Sequence, residues 1–243
     1  GDTLAKIAYE KAGIIKPDLP VVIGETLPET KVVFQNKARE TNSPIFFTND
    51  EFEIISSEYD IHHLAIEVLN KNSLEKNIYT LDLNGIYQQK NILAVIKSVE
   101  LLKDHFFLNP GKIKSALSKV KNLTGLHGRW DVIQQDPVVV MDVAHNEDGI
   151  RQLVQQIRQS TWDKLHVIFG MVKDKDPDKV LNQLPKTAKY YFTKAQIPRA
   201  LPEKDLQQKA AQYELTGDTF PEVNLALQSA LHHASKKDLV VIC

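Results

Sequence analysis

The sequence predicts an α/β protein built on a mainly parallel sheet, and three observations carry that prediction. Short, almost wholly apolar runs recur in the second half, at Val138–Met141, Leu165–Phe169 and Leu239–Cys243, the pattern of strands buried on both faces. Helix-period segments separate these runs. Gly and Pro mark the junctions, at Gly170, Pro177, Pro202 and Pro221. Such alternation predicts helices on both faces of the sheet.

The elements follow in order. Asp2 or Thr3 caps a short helix that ends at Gly13. Leu19–Ile23 and Pro44–Phe47 read as strands around a helix starting near Pro28. Several strands are expected between Glu51 and Leu83, where Tyr79, Leu81 and Leu83 alternate. Two helices come next, one carrying Ile92, Val95, Ile96, Val99 and Leu102, the other Ile113, Ala116, Leu117 and Val120. The turn-rich stretch Asn122–Gly128 is the expected domain boundary. Beyond it, Ile150, Leu153, Val154 and Ile157 share one helical face. Asp176 and Pro177 read as the cap and first position of a helix carrying Val180, Leu181 and Leu184. Lys189–Thr193 is a strand, and helices begin near Pro202 and Pro221. No internal repeat or low-complexity tract interrupts the chain.

Composition narrows the function classes. The 243 residues are 42% hydrophobic and 25% charged, an ordinary globular mix. A net charge of −1 gives no electrostatic reason to bind nucleic acid or an acidic membrane surface. No apolar run approaches the roughly 18 residues of a bilayer span. No secretion leader is visible, and the single cysteine, Cys243, leaves no internal disulfide. A cytoplasmic monomer is the expectation. Both ends read as cut, because the chain opens on Gly1 and stops straight after a buried strand.

Several residues stand out chemically. Leu4, Ile7, Ala8 and Lys11 share a helical face, with Lys6 and Glu10 off it. A lysine on an apolar stripe is unusual because burying charge is costly. Its other reading is a snorkelling lysine favoured by the dipole at a helix end. Asp142-Val143-Ala144-His145-Asn146 follows an apolar strand, and open α/β sheets bind ligands at the carboxyl ends of strands. Asp142 there can accept hydrogen bonds from a ribose, and His145 can face phosphate at a helix N-terminus. Alternatively, Asp142 and Asn146 only cap the turn. Lys173 and Lys175, in Gly170–Asp176, either receive a substrate carboxylate or are simply solvated. Arg129 at the expected hinge suits a phosphate clamp or a surface ion pair. Gln88 and Asn91 either cap a long helix or, for Asn91, read a base edge. The adjacent pairs His62-His63 and His232-His233 do not share a face. The sequence contains no G-x-x-x-x-G-K-S/T loop, no G-x-G-x-x-G fingerprint, no C-x-x-C and no G-x-S-x-G.

Taken together, these segments resemble a known set. Gly1–Lys16 resembles the signature of folylpolyglutamate synthase and dihydrofolate synthase, members of the Mur ligase superfamily. The likeness continues through Gly85-x-Tyr87-Gln88-x-x-Asn91, Gly128-Arg129, Asp142-x-Ala144-His145-Asn146, Gly170-Met171-x-Lys173-Asp174-Lys175-Asp176 and Pro198-Arg199-Ala200. It implies that residues 1–127 are the C-terminal part of a central ATPase domain and residues 128–243 a Rossmann-like ligase domain. The implied reaction is amide formation. ATP phosphorylates a pteroate or folate carboxylate, and the amine of L-glutamate displaces phosphate, with magnesium offsetting the charge.

The resemblance also implies roles. Lys11 matches a lysine carbamylated by carbon dioxide that ligates Mg2+. Asn91 matches an adenine contact, Arg129 a phosphate contact, Asp142 a ribose contact and His145 a neighbour of the phosphates. Lys173 and Lys175 fall near the incoming glutamate. The family's phosphate loop, a histidine metal ligand and a Gly-Ser turn are not in this sequence, so the chain alone is expected not to turn over ATP. The competing reading is a non-catalytic binding module that keeps the ligase-domain fold. A Rossmann oxidoreductase is disfavoured by the missing glycine fingerprint.

Overall fold

The computed structural model describes residues 3–174 and 176–243. The chain divides into two compact units, one of Gly1–Asp82 and Tyr87–Leu123, the other of Leu83–Ile86 and Thr124–Cys243.

The first unit opens with helix α1 (Leu4–Ala12), capped by the Thr3 hydroxyl, which accepts from the Lys6 N–H at 3.2 Å. Asp2, the other expected cap, lies outside the described residues. Gly13 ends the helix in a right-handed conformation, not the left-handed one that a terminal glycine suggests. Strands β1 (Val21–Ile23) and β2 (Ile45–Phe47) pair in parallel, and helix α2 (Pro28–Glu40) separates them in sequence. A single helical turn, α3 (Thr48–Glu51), leads into an antiparallel sheet of β3 (Phe52–Tyr59), β4 (Leu64–Asn70) and β5 (Lys76–Leu81). Helix α4 (Gln88–Phe106) packs Ile92, Leu93 and Ile96 against Phe52, Leu64, Ile66 and Leu81. Its buried Lys97 pairs with Glu51 at 2.7 Å and lies 4.4 Å from the Phe46 ring centroid. Helix α5 (Pro110–Leu117) stops before Val120, which instead opens a short helix, α6 (Val120–Thr124), that runs into the stretch expected to be turns.

The second unit carries a six-stranded sheet. Its strands are β6 (Asp131–Gln135), β7 (Val138–Met141), β8 (Leu165–Phe169), β9 (Lys189–Phe192), β10 (Gly217–Thr219) and β11 (Leu239–Ile242), in the order β10-β9-β8-β11-β7-β6. Every neighbouring pair is parallel except β6 with β7. The intervening helices are α7 (Glu147–Gln159), α8 (Pro177–Leu181), α9 (Glu203–Ala211) and α10 (Val223–His233). From β7 to β10 the chain steps in one direction across the sheet, and from β10 it returns to place β11 between β7 and β8. Right-handed crossovers then put α7, α8 and α9 on one face and α10 on the other.

Packing agrees with that rule. Val140, Val167, Phe169, Tyr190, Phe192 and Val241 meet the first three helices, and their neighbours Val139, Ile168, Tyr191 and Val240 meet Ala226 and Ala230 of α10. The period-two alternation of buried strands on both faces explains why these runs are almost wholly apolar. A buried glutamine ties in the short segment contributed from upstream. Gln156 Nε2 donates to the Asn84 carbonyl at 2.9 Å, and the Ile86 N–H donates to Gln156 Oε1 at 2.9 Å.

The α10 face also holds a buried polar chain at the amino end of the strands. His166 Nε2 lies 3.3 Å from Asp238 Oδ2, and its Nδ1 lies 3.0 Å from the Tyr191 hydroxyl. Asp238 also accepts from the N–H groups of Ser235 and Lys164. Both contacts of His166 are satisfied by a neutral ring that donates from Nε2 and accepts at Nδ1. Burial lowers the His166 pKa below its usual 6.5, helped by Lys189 and His233 and opposed by Asp238. For Asp238, burial pushes the pKa up, but its hydrogen bonds and His166 outweigh that and hold it below the usual value. Below pH 6.5 the unfolded chain therefore binds a proton at this histidine that the folded chain resists, and stability falls as pH drops. Thermal unfolding from pH 7 down to pH 5 should show a declining Tm, with a shallower decline in His166→Gln. Equal slopes in the two proteins would refute this role for His166.

Candidate functional site

The carboxyl ends of the parallel strands gather most of the expected residues of the second unit. At the end of β7, Asp142 is buried and its carboxylate is committed to the backbone. Oδ2 accepts from the Trp130 N–H at 2.8 Å and Oδ1 from the Ala144 N–H at 2.9 Å. One side chain thus fixes both the turn that follows β7 and the Gly128–Trp130 loop that precedes β6. The Val143 N–H donates to the Gly128 carbonyl at 3.0 Å and closes the same junction. Gly128 sits at φ 75°, and a Cβ there would meet Val143 Cγ1 at 2.6 Å, so both backbone conformation and space require glycine.

This junction brings Arg129, Asp142 and His145 onto adjacent, mutually bonded loops. Arg129 is half-buried, and its guanidinium donates to the Gly128 carbonyl at 3.3 Å. Beside it, His127 Nδ1 lies 2.8 Å from the buried Asp131 carboxylate. His145 is exposed, with Nδ1 2.9 Å from the Val143 carbonyl. That carbonyl can only accept, so Nδ1 carries hydrogen and Nε2 is left as the acceptor of the neutral ring. Asn146 caps α7 through the Gly149 N–H at 2.8 Å, as the turn reading of this motif expects. The capping role expected as the alternative for Asp142 is likewise present in its two backbone bonds.

The loop after β8 is zipped to the segment after β9. Val172 and Ala200 form an isolated bridge, the Lys173 N–H donates to the Arg199 carbonyl at 2.9 Å, and the Arg199 guanidinium pairs with Asp174 at 3.6 Å. Lys173 is exposed on this loop; Lys175 lies outside the described residues. A Cβ on Gly170 would lie 3.0 Å from the Thr193 carbonyl, so a side chain there would require the loop or the strand end to give by a few tenths of an ångström. Between these loops lies a pocket of about 390 Å³, walled by Met141–His145, Phe169–Val172, Thr193, Val223 and Cys243 among others. Burial raises the Cys243 thiol pKa to about 12, so the thiol is protonated and inert as a nucleophile. Sequence reading did not single out Thr193 or Trp130 as site residues; neither belongs to a spacing pattern that marks chemistry.

Two expected residues belong to the first unit. Lys11 stands in the last turn of α1, but the buried side of that helix is Ala8 and Ala12, at 3% and 1% exposure. Leu4 and Ile7, its expected companions on a buried stripe, are 46% and 39% exposed, and Lys11 is exposed with them. The apolar-stripe expectation is therefore corrected: the small alanines pack, and Lys11 is a helix-end lysine on the open side. Asn91 is exposed near the start of α4 and donates to Gln88 Oε1 at 2.8 Å. Neither residue caps α4, whose N-cap is Tyr87 without a side-chain bond. Among the described residues, no group of three or more His, Cys, Asp or Glu side chains could hold a metal ion, and no helix is long and apolar enough to cross a membrane.

With this geometry in place, likeness to known proteins becomes informative. The family described as Mur ligase, glutamate ligase domain, matches residues 128–243. The dihydrofolate synthase/folylpolyglutamate synthase of Bacillus subtilis is 29% identical over 210 residues, covering 85% of this chain and 48% of that protein. The folylpolyglutamate synthase of Lacticaseibacillus casei is also 29% identical, over 84% of this chain and 47% of its own length. The chain thus spans about half the length of the curated relatives it matches. The structure of Mycobacterium tuberculosis folylpolyglutamate synthase complexed with ADP superposes with a TM-score of 0.83 at 21% identity, covering 100% of this chain and 56% of that one. The mainly parallel α/β sheet, the matched domain and the named relatives agree: residues 128–243 match the Mur ligase glutamate ligase domain family, and the chain is similar to the folylpolyglutamate and dihydrofolate synthases.

Proposed function

We propose that the chain is the ligase-bearing part of an ATP-dependent enzyme that adds L-glutamate to dihydropteroate or folate through an acyl phosphate. The observation that carries this reading is the Asp142-centred junction, which holds Arg129 and His145 on neighbouring loops at the carboxyl edge of a glutamate ligase domain. We assign residues 1–127 to the C-terminal part of a central ATPase domain and 128–243 to the ligase domain.

The residues fit a nucleotide in part. A half-buried guanidinium with one weak carbonyl contact suits phosphate oxygens. His145 Nε2 accepts a hydrogen bond when the ring is neutral and donates one to phosphate when it is protonated. Asp142, buried at the end of β7, is placed to accept from a ribose hydroxyl. Asn91 offers an amide to adenine, and its bond to Gln88 fixes the amide's orientation. Lys173 and Lys175 offer cations to the amino acid's carboxylates. Bound nucleotide supplies the phosphoryl group that turns a carboxylate into an acyl phosphate. The amine then attacks the acyl carbon, the C–O bond to phosphate breaks, and the nitrogen loses a proton.

The described residues do not by themselves fit magnesium. Lys11 bears on this point. A carbamate persists where a bound cation or close donors stabilise its charge, and among the described residues no cluster of three or more His, Cys, Asp or Glu could hold a metal ion. An exposed Lys11 at that position should therefore remain a plain amine in this chain. Carbon-13 NMR of the chain in labelled bicarbonate should show no carbamate signal that disappears in Lys11→Ala; such a signal would overturn the assignment.

Protein from the complete open reading frame should release phosphate from ATP only when L-glutamate and a pteroate or folate acceptor are both present. A protein that binds these ligands without turnover would instead support a non-catalytic module. In the active enzyme, Arg129→Ala should raise the KM for ATP at least tenfold with little change in Tm. Asp142→Ala should behave differently. Two buried N–H groups lose their acceptor, at about 1–3 kcal/mol each, so the Tm should fall by several degrees. A full-strength Tm with weakened ATP binding alone would show that the backbone bonds of Asp142 are dispensable.

A further inference from the structure

A second cavity lies apart from the carboxyl-edge pocket, on the exposed side of α7. It holds about 520 Å³ and runs between that helix and the turn that ends α8. Arg151, Gln155 and Arg158 line it from α7 at i, i+4 and i+7 spacing, so all three share one face. Leu153, Val154 and Ile157 anchor the same helix in the core, which fixes where that face points. Asn182 and Gln183 stand opposite, just beyond α8. Among the described residues the lining holds guanidinium and carboxamide groups and no acidic side chain. Arg151 pairs with Asp148, one turn before it on α7. Arg158 and Gln155 make no side-chain hydrogen bond or ion pair among the described residues. Gln183 Nε2 donates to the Lys179 carbonyl at 2.9 Å, which leaves Gln183 Oε1 to accept.

The lining selects a ligand by two chemistries. Guanidinium groups take carboxylate or phosphate oxygens in paired hydrogen bonds. Carboxamides both donate and accept, so they match amides, whereas a phosphate chain only accepts. The two arginine positions lie two helical turns apart, about 10 Å along the axis. A chain of glutamates joined through their side-chain carboxyls carries one free carboxylate and one amide per unit. Each such unit spans about 6 Å at ordinary bond lengths, so carboxylates on alternate units lie about 12 Å apart when extended and closer when bent. We propose that this groove binds a γ-linked oligoglutamate, with Arg151 and Arg158 on carboxylates of alternate units and the carboxamides on the amides between them. The inference rests on the ligase reading above, because repeated addition of L-glutamate to an acceptor builds such a chain, and it extends that reading to a surface outside every motif that suggested the function.

Titration calorimetry of this chain with γ-linked triglutamate tests the assignment, with L-glutamate and tripolyphosphate as controls. The unmodified chain should bind the triglutamate, and both controls should bind more weakly, since one cannot span the arginines and the other offers the carboxamides no donor. Arg158→Gln should weaken triglutamate binding about three- to fivefold, and Arg151→Gln with Arg158→Gln about tenfold or more, the range for exposed ion pairs. Both arginines are exposed, so these variants should keep the Tm of the unmodified chain. Arg129→Ala should bind the triglutamate unchanged, which distinguishes the groove from the carboxyl edge. No binding by the unmodified chain, equal affinity in the double variant, or loss of binding in Arg129→Ala would each overturn the proposal. Tripolyphosphate binding as tightly as triglutamate would also overturn it and reduce the groove to an unselective anion site. A complete enzyme that joins L-glutamate to no pteroate or folate would refute the ligase reading. In that case the calorimetry still decides whether the groove takes the γ-linked chain.

Discussion

The return of the chain to place β11 between β7 and β8 is the constraint on which the second unit depends. That single insertion separates two strands that α7 connects, and it sends α10 to the face opposite α7, α8 and α9. Loops leaving β7 and β8 are therefore held apart by the width of β11, and a pocket lies at the carboxyl ends of these strands. The pocket walls come from the ends of β7, β8, β9 and β11 together with the start of α10, so no continuous stretch of sequence could have formed it.

Asp142 gives the edge its local order. A carboxylate at the end of a buried strand would be costly to leave unpaired, and here it accepts from two backbone N–H groups on different loops. The same arrangement serves stability and placement. It satisfies the donors of Trp130 and Ala144, and it sets where Arg129 and His145 project. Such a residue is hard to classify as structural or functional from a motif, because its chemistry is the same in both roles.

Much of the fold was legible because burial leaves a pattern. Strands β7, β8 and β11 are covered on both faces, so every residue except the hydrogen-bonded His166 of β8 is apolar, and their bounds read almost directly. Strand β6 was missed because it is an edge strand, and Gln134 and Gln135 face solvent. Strand β10 was missed because Gly217–Thr219 is short and carries no apolar residue. On α1 the period was right and the face was wrong. Large apolar residues suggested the buried side, but close packing there accepts only Ala8 and Ala12. At the carboxyl edge, the caps of Asp142 and Asn146 were legible in the turn chemistry of their motif, whereas the bond that ties Asp142 to Trp130 joins residues twelve apart and leaves no trace in spacing.

The paired bonds from Gln156 to Asn84 and Ile86 have a consequence for how the chain assembles during synthesis. Residues 83–86 leave the ribosome well before α7 exists, so their place in the second unit must wait for a partner translated later. Until then two backbone groups of that segment depend on water. Completion of the second unit thus closes a long loop that encloses α4, α5 and α6, and each such closure slows folding through the entropy lost. A domain cut from this protein at residue 124 would keep all six strands of its sheet and yet strand a buried amide, because part of its interior is encoded upstream of the cut.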